Sequence, residues 1–189
     1  MEVDKKKVRS GIAAARRALS EADRARLGEA ISLRLMEHPA VQKAQVLMSY
    51  MAFAGEVDLT VLHRWAKEQG KTVAFPITYG EGRMEAFVPE SDEAWLVGQY
   101  GITSPDESRS KKLSPEELDL VIAPCVGFDE SRMRLGWGGG YYDRYLPKCP
   151  KATAIAAAYE LQKLDPVPDV QHWDVAMDAV ATEERWYGF

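Results

Sequence analysis

Three consecutive segments constrain this chain more than anything else in it. Residues 45–50 (QVLMSY) form a short apolar run. An amphipathic stretch with Leu59, Leu62 and Trp65/Ala66 follows behind Asp58, and a second apolar run occupies 72–75 after Gly70. Short apolar runs suit buried strands, while three- and four-residue spacing suits a helix capped by Asp58 and closed by Gly70. A helix between two strands joins them as a parallel crossover. Pro76 is read as the end of the second strand.

Further strands are expected at 118–123 (LDLVIA, bounded by Pro124), at 153–159 and at 179–182, with a weaker one at 84–88. Val8, Ile12, Ala15 and Leu19 predict a first helix. Ser20, with Asp23 three residues on, predicts the cap of a second, which runs through Leu27, Ile31 and Leu35 and stops at Pro39. Residues 90–117 are polar, contain Gly101, Pro105 and Pro115, and read as surface connection. With no internal repeat or linker, the 189 residues fit one domain, 1–189. The expected fold is α/β, a mainly parallel central sheet with helices on both faces in a Rossmann-like, three-layer architecture.

The formal net charge is −5, which argues against broad binding to nucleic acid or anionic membrane. Two cysteines are too few for a disulfide scaffold, and Cys125, in an apolar run, is expected to be a buried thiol. The cysteines and the three histidines show no metal-ligand spacing. His38, His63 and His172 have no partner visible in the sequence and receive no role. The N-terminal stretch from Met1 to Lys7 lacks a signal peptide's apolar region, and no apolar run reaches membrane-spanning length. A cytosolic protein is expected.

The chemistry concentrates in RMRLGWGGGYYDRYL. Gly136, Gly138, Gly139 and Gly140 follow a core strand and precede a segment, 141–146, that can be helical. Glycines let backbone N–H groups approach an anion, and a following helix N-terminus adds donors. Arg134 is placed to pair with a phosphate, and Asp143 to hold a magnesium ion. No Gly-Lys-Ser/Thr follows, so this is not a Walker loop, and Tyr141 stands where a dinucleotide fingerprint needs its last glycine. A flexible surface turn and an aromatic, basic RNA-contact patch are the alternative readings.

The run Arg134-Leu135-Gly136-Trp137-Gly138-Gly139-Gly140-Tyr141-Tyr142-Asp143-Arg144 resembles the signature of the 5-formyltetrahydrofolate cyclo-ligase family. Lys5 and Arg9 resemble that family's N-terminal basic motif, Met51 and Glu56 its substrate-binding pair, and the segment from Asp174 to Glu183 its C-terminal region. The resemblance implies an ATP- and Mg2+-dependent ligase that closes 5-formyltetrahydrofolate to 5,10-methenyltetrahydrofolate. Arg134 would be catalytic. Lys5, Arg9, Arg134, Leu135, Gly136, Trp137, Gly138, Gly139, Gly140, Tyr141 and Tyr142 would bind ATP. Met51, Glu56, Trp137, Gly138, Gly139, Gly140 and Tyr141 would bind the folate, and Asp143 and Asp174 the metal. A monomer acting on small molecules is expected, with no nucleic-acid or membrane partner. Two alternatives remain at this point: an ATP-dependent enzyme of the same scaffold acting on another carbonyl, and a non-catalytic nucleotide or RNA binder.

Overall fold

The computed structural model describes residues 4–98 and 101–189. Residues 1–3 of the N-terminal stretch, and 99–100 within the 90–117 connection, lie outside it. Among the described residues, an eight-stranded sheet organises the chain, in the order β12-β11-β10-β7-β1-β2-β3-β6. Its centre comprises β1 (Val46–Met48), β2 (Thr72–Thr78), β7 (Leu120–Pro124), β10 (Thr153–Ala157) and β11 (Ala179–Ala181), all parallel. Antiparallel β3 (Met84–Pro89) and β6 (Ser110–Leu113) extend one side, and β12 (Trp186–Tyr187) closes the other. Two small hairpins stand apart, β4 (Trp95–Val97) with β5 (Thr103–Pro105) and β8 (Gly127–Phe128) with β9 (Arg134–Leu135).

Side chains alternate across the central strands, as a pleated sheet requires. Leu47, Val73, Phe75, Leu120, Ile122 and Ile155 face one cluster, with Ile31 and Leu35 of α2 (Glu21–Glu37), Val41 of α3 (Pro39–Lys43) and Leu62 and Ala66 of α4 (Thr60–Glu68). The opposite face sets the small residues Ala74, Ala123, Ala154 and Ala156 among Met48, Val121 and Val180. The size of the alanines lets α5 (Tyr141–Tyr145) and the following turn pack Tyr145, Leu146 and Cys149 close to the sheet. The three-layer expectation therefore holds, with the longer helices on one side. Helix α1 (Lys5–Ala18) lies against the turn at Glu160–Gln162. No helix among the described residues is long and apolar enough to cross a membrane.

Several local expectations need correcting. Residues 90–117 are not mere connection, because they hold β4, β5 and β6. β6 (SKKL) is a short edge strand whose exposed Lys111 and Lys112 discourage further strand addition. Pro76 does not end β2. Past Ala74, β2 pairs with β3 alone, so the missing N–H falls where the sheet is one-sided. Pro39 both stops α2 and opens α3 as its first residue, with the His38 ring accepting from Ala40 N at 3.2 Å. Asp58 accepts from Thr60 N at 2.8 Å without being the cap residue of α4, whose cap position is Leu59. His63 does have a partner: its Nε2 lies 2.8 Å from Ser49 Oγ.

Candidate active site

Every site residue that the family resemblance implies lines one cleft of about 1300 Å³. Its place follows from topology. The chain runs from β1 to β2 on one side and later returns to β7 on the other, so β1 is where the strand order reverses. The loops leaving neighbouring parallel strands diverge at such a point and open a crevice at the strands' carboxyl ends. Tyr50 and Met51 follow β1 into the cleft, and Cys125 follows β7.

One end is cationic and carries an acid. Arg134, at the start of β9, is buried and donates from Nη2 to Asp143 Oδ1 at 3.0 Å and from Nη1 to Met177 Sδ at 3.1 Å. Its guanidinium lies 5.4 Å from the centre of the Tyr142 ring. Asp143 Oδ1 also accepts from Val175 N at 3.1 Å, which fastens the Asp174 segment to α5. Asp174 Oδ2 accepts from Gln171 N at 2.9 Å. The hydrogen bonds described at Asp143 thus fall on Oδ1, and that at Asp174 on Oδ2. Among the described residues no group of three or more His, Cys, Asp or Glu could hold a metal.

The glycine segment bridges the cleft. Gly138 has φ 106°, and Gly140, the residue preceding α5, has φ 64°. Side chains rarely adopt either angle, which is the physical reason for glycine here. Arg144 Nη1 donates back to Gly139 O at 2.7 Å. Arg9 Nε donates to Gly136 O at 2.8 Å, so α1 is latched to the segment, and Lys5 Nζ lies 3.4 Å from Asp169 Oδ2.

The other end is a buried acid. Glu56 is only 8% exposed. Its Oε1 accepts from Trp137 Nε1 at 3.1 Å and its Oε2 from Phe53 N at 3.1 Å. Burial raises its pKa above the ordinary value, while the Trp137 and Phe53 hydrogen bonds and the positive charge of Arg16 oppose that rise. Burial also pushes the Cys125 thiol up to about 12, so it is an inert wall rather than a nucleophile.

A sequence profile of the 5-formyltetrahydrofolate cyclo-ligase family matches residues 1–183. The chain belongs to the 5-formyltetrahydrofolate cyclo-ligase family. It is accordingly an enzyme of the ligase class. The Escherichia coli (strain K12) protein named 5-formyltetrahydrofolate cyclo-ligase is 30% identical over 90% of this chain and 95% of its own. The Mus musculus protein of the same name is 30% identical over 89% and 88%. The solution structure of Aquifex aeolicus 5,10-methenyltetrahydrofolate synthetase superposes with a TM-score of 0.83 at 32% identity, covering 97% of this chain and 92% of that one. The synthetase from Mycoplasma pneumoniae, at 24% identity and a TM-score of 0.79 over 96% and 100%, shares the fold.

Other walls of this cyclo-ligase cleft carried no sequence signal. Ile102, Thr103 and Ser104 line it from the β4–β5 hairpin, and Trp173, 59% exposed, stands at its edge. Trp65 of α4 lies outside the cleft, packed against the core cluster. Arg16 was missed although it follows Arg9 by two turns of α1.

Proposed function

We propose that this chain uses ATP and magnesium to convert 5-formyltetrahydrofolate to 5,10-methenyltetrahydrofolate, releasing ADP and phosphate, as a monomer in the cytosol. The observation that carries the reading is a cleft of about 1300 Å³ that all the expected site residues share. It exceeds the ~300–1,000 Å³ usual for one ligand and so has room for two substrates that must meet. The Arg134–Asp143 pair stands among its lining residues, Glu56 among others, and the glycine segment touches both.

The formyl oxygen on N5 is an amide oxygen, a very poor leaving group. That oxygen attacks the γ-phosphorus, the bond to ADP breaks, and the oxygen is now part of a phosphate. N10 of the same folate attacks the formyl carbon, the carbon–oxygen bond breaks, phosphate departs and N10 loses its proton. The attack is intramolecular, so positioning supplies much of the rate. No enzyme nucleophile is required.

Lys5 and Arg9, one helical turn apart on α1, bind the triphosphate, and Arg9 exchanges its bond to Gly136 O for a phosphate oxygen. Residues 134–142 wrap the phosphates with backbone N–H groups, and Arg134 neutralises charge on the moving phosphoryl group. Asp143 and Asp174 suit magnesium because that ion keeps several waters and binds through one or two carboxylates and the substrate's phosphates, not in an all-protein cage. Magnesium supplies charge neutralisation of the phosphates when bound. Glu56 accepts the donor pair of the pterin edge, for which Trp137 Nε1 must yield Oε1. Met51 packs on the pterin face, and Trp137 to Tyr141 meet the formyl end.

The test is the absorbance of methenyltetrahydrofolate formed from 5-formyltetrahydrofolate and magnesium, with and without ATP. Product in the ATP arm alone is expected. A folded protein that binds ATP and forms no product would remove the folate assignment.

A further inference from the structure

Arg16 lies outside the cleft and is completely buried. A buried guanidinium is costly unless something compensates its charge, because it cannot lose its proton. Its described hydrogen bond runs from Nη2 to Ala54 O at 3.1 Å, and among the described residues Nε and Nη1 have no partner. The guanidinium lies 5.4 Å from the centre of the Trp137 ring. Arg16 therefore touches both the turn that carries Glu56 and the indole that donates to Glu56.

We propose that Arg16 is a positioning residue for folate. Its buried guanidinium clamps the 54–56 turn and the Trp137 indole together and supplies the positive charge opposite the Glu56 carboxylate. The inference rests on the assignment of Glu56 to the pterin and gives that carboxylate its counter-charge.

Glu56 is a buried carboxyl whose pKa is raised by that burial, and the groups packed around it are of two kinds. Tyr50 after β1 and Tyr142 on α5 are raised by burial, and burial raises Tyr159 after β10 and Cys125 after β7 to about 12. Arg16 on α1 and Arg134 on β9 stay charged, and Asp58, two residues from Glu56, is exposed. Burial works against the ionised Glu56, so loss of the cation behind it moves its midpoint upward.

Folate affinity is to be measured against pH in the native chain and in Arg16→Lys, Arg16→Met and Arg16→Gln, with Glu56→Gln as reference. The Glu56 carboxyl carbon is followed by NMR in the same proteins. In either neutral variant the acid limb of folate binding and the Glu56 midpoint move up by about one pH unit, and affinity near neutrality falls by about tenfold at most. Arg16→Lys keeps both near the native position. A merely structural role would weaken binding equally at every pH. A limb and a midpoint that stay at the native pH in a folded neutral variant overturn the inference. If Glu56→Gln binds folate like the native chain, the pterin assignment itself falls, and this inference with it.

Discussion

Glu56 and Arg134 are both buried, yet burial serves them differently. Both Glu56 oxygens already accept hydrogen bonds, so folate gains only the difference between the pterin's donors and Trp137. Hydrogen bonds to a charged group contribute about 1.5–3 kcal/mol. Glu56→Gln is therefore expected to weaken folate binding by ~10- to 100-fold and to leave ATP affinity intact, which calorimetric titration of each ligand checks. Arg134 spends two nitrogens on Asp143 and Met177. Removing it whole would strand Asp143, a loss of stability on the order of 3–5 kcal/mol for a fully buried pair and less here, where Asp143 is partly exposed. Arg134→Lys separates the two effects. It keeps the charge and loses the planar fork, and kcat is expected to fall by about a hundredfold or more while the thermal midpoint moves little. Near-native kcat in that variant would take Arg134 out of phosphoryl transfer.

Among the elements, α1 reaches the cleft through Lys5 and Arg9 and carries Arg16 outside it. Its seat is Gly127 on β8. A side chain there would meet Ile12 Cδ1 at 2.9 Å and Leu164 Cδ1 at 2.7 Å. Gly127→Ala is expected to destabilise the fold by about 1–3 kcal/mol through overpacking, and to weaken ATP binding by shifting α1. Urea denaturation and an ATP titration measure the two. The elements differed in how far the sequence revealed them. The parallel strands β1, β2, β7 and β10 are buried on both faces, so their runs are continuously apolar and legible. Strands β6, β8, β9 and β12 are two to four residues long and owe their conformation to a neighbour in space, which local pattern does not encode. Pro76 misled because its rule holds for strands paired on both sides.

At the scale of the molecule, the cleft sits where the strand order reverses, and its base depends on a neutral buried histidine. His63, bonded to Ser49 after β1 and edge-on to Phe75, is lowered by burial from 6.5 to about 4. The unfolded chain takes up a proton near pH 6.5 that the folded chain refuses. Stability from this group is thus complete above pH 6.5 and declines as pH falls from there to about 4, by about 3 kcal/mol in all. Unfolding free energies of the native chain and His63→Gln across that window should converge toward acid pH; parallel curves would contradict the assignment. How much of the site was legible follows from its chemistry. The glycines and Arg134 announce phosphate by residue type, and the family likeness adds Lys5, Arg9, Met51, Glu56, Asp143 and Asp174, all of which reach one cleft. Arg16 and the β4–β5 wall were illegible, since an arginine in a helix and a polar hairpin look like solvated surface until the fold buries or aligns them. The central claim is that the formyl oxygen leaves as phosphate within this cleft. The most direct measurement follows that oxygen: 5-formyltetrahydrofolate labelled with heavy oxygen in the formyl group is turned over with ATP, and the phosphate released is analysed by mass spectrometry. One labelled oxygen per phosphate is predicted. Unlabelled phosphate, with the label in water, would contradict the account.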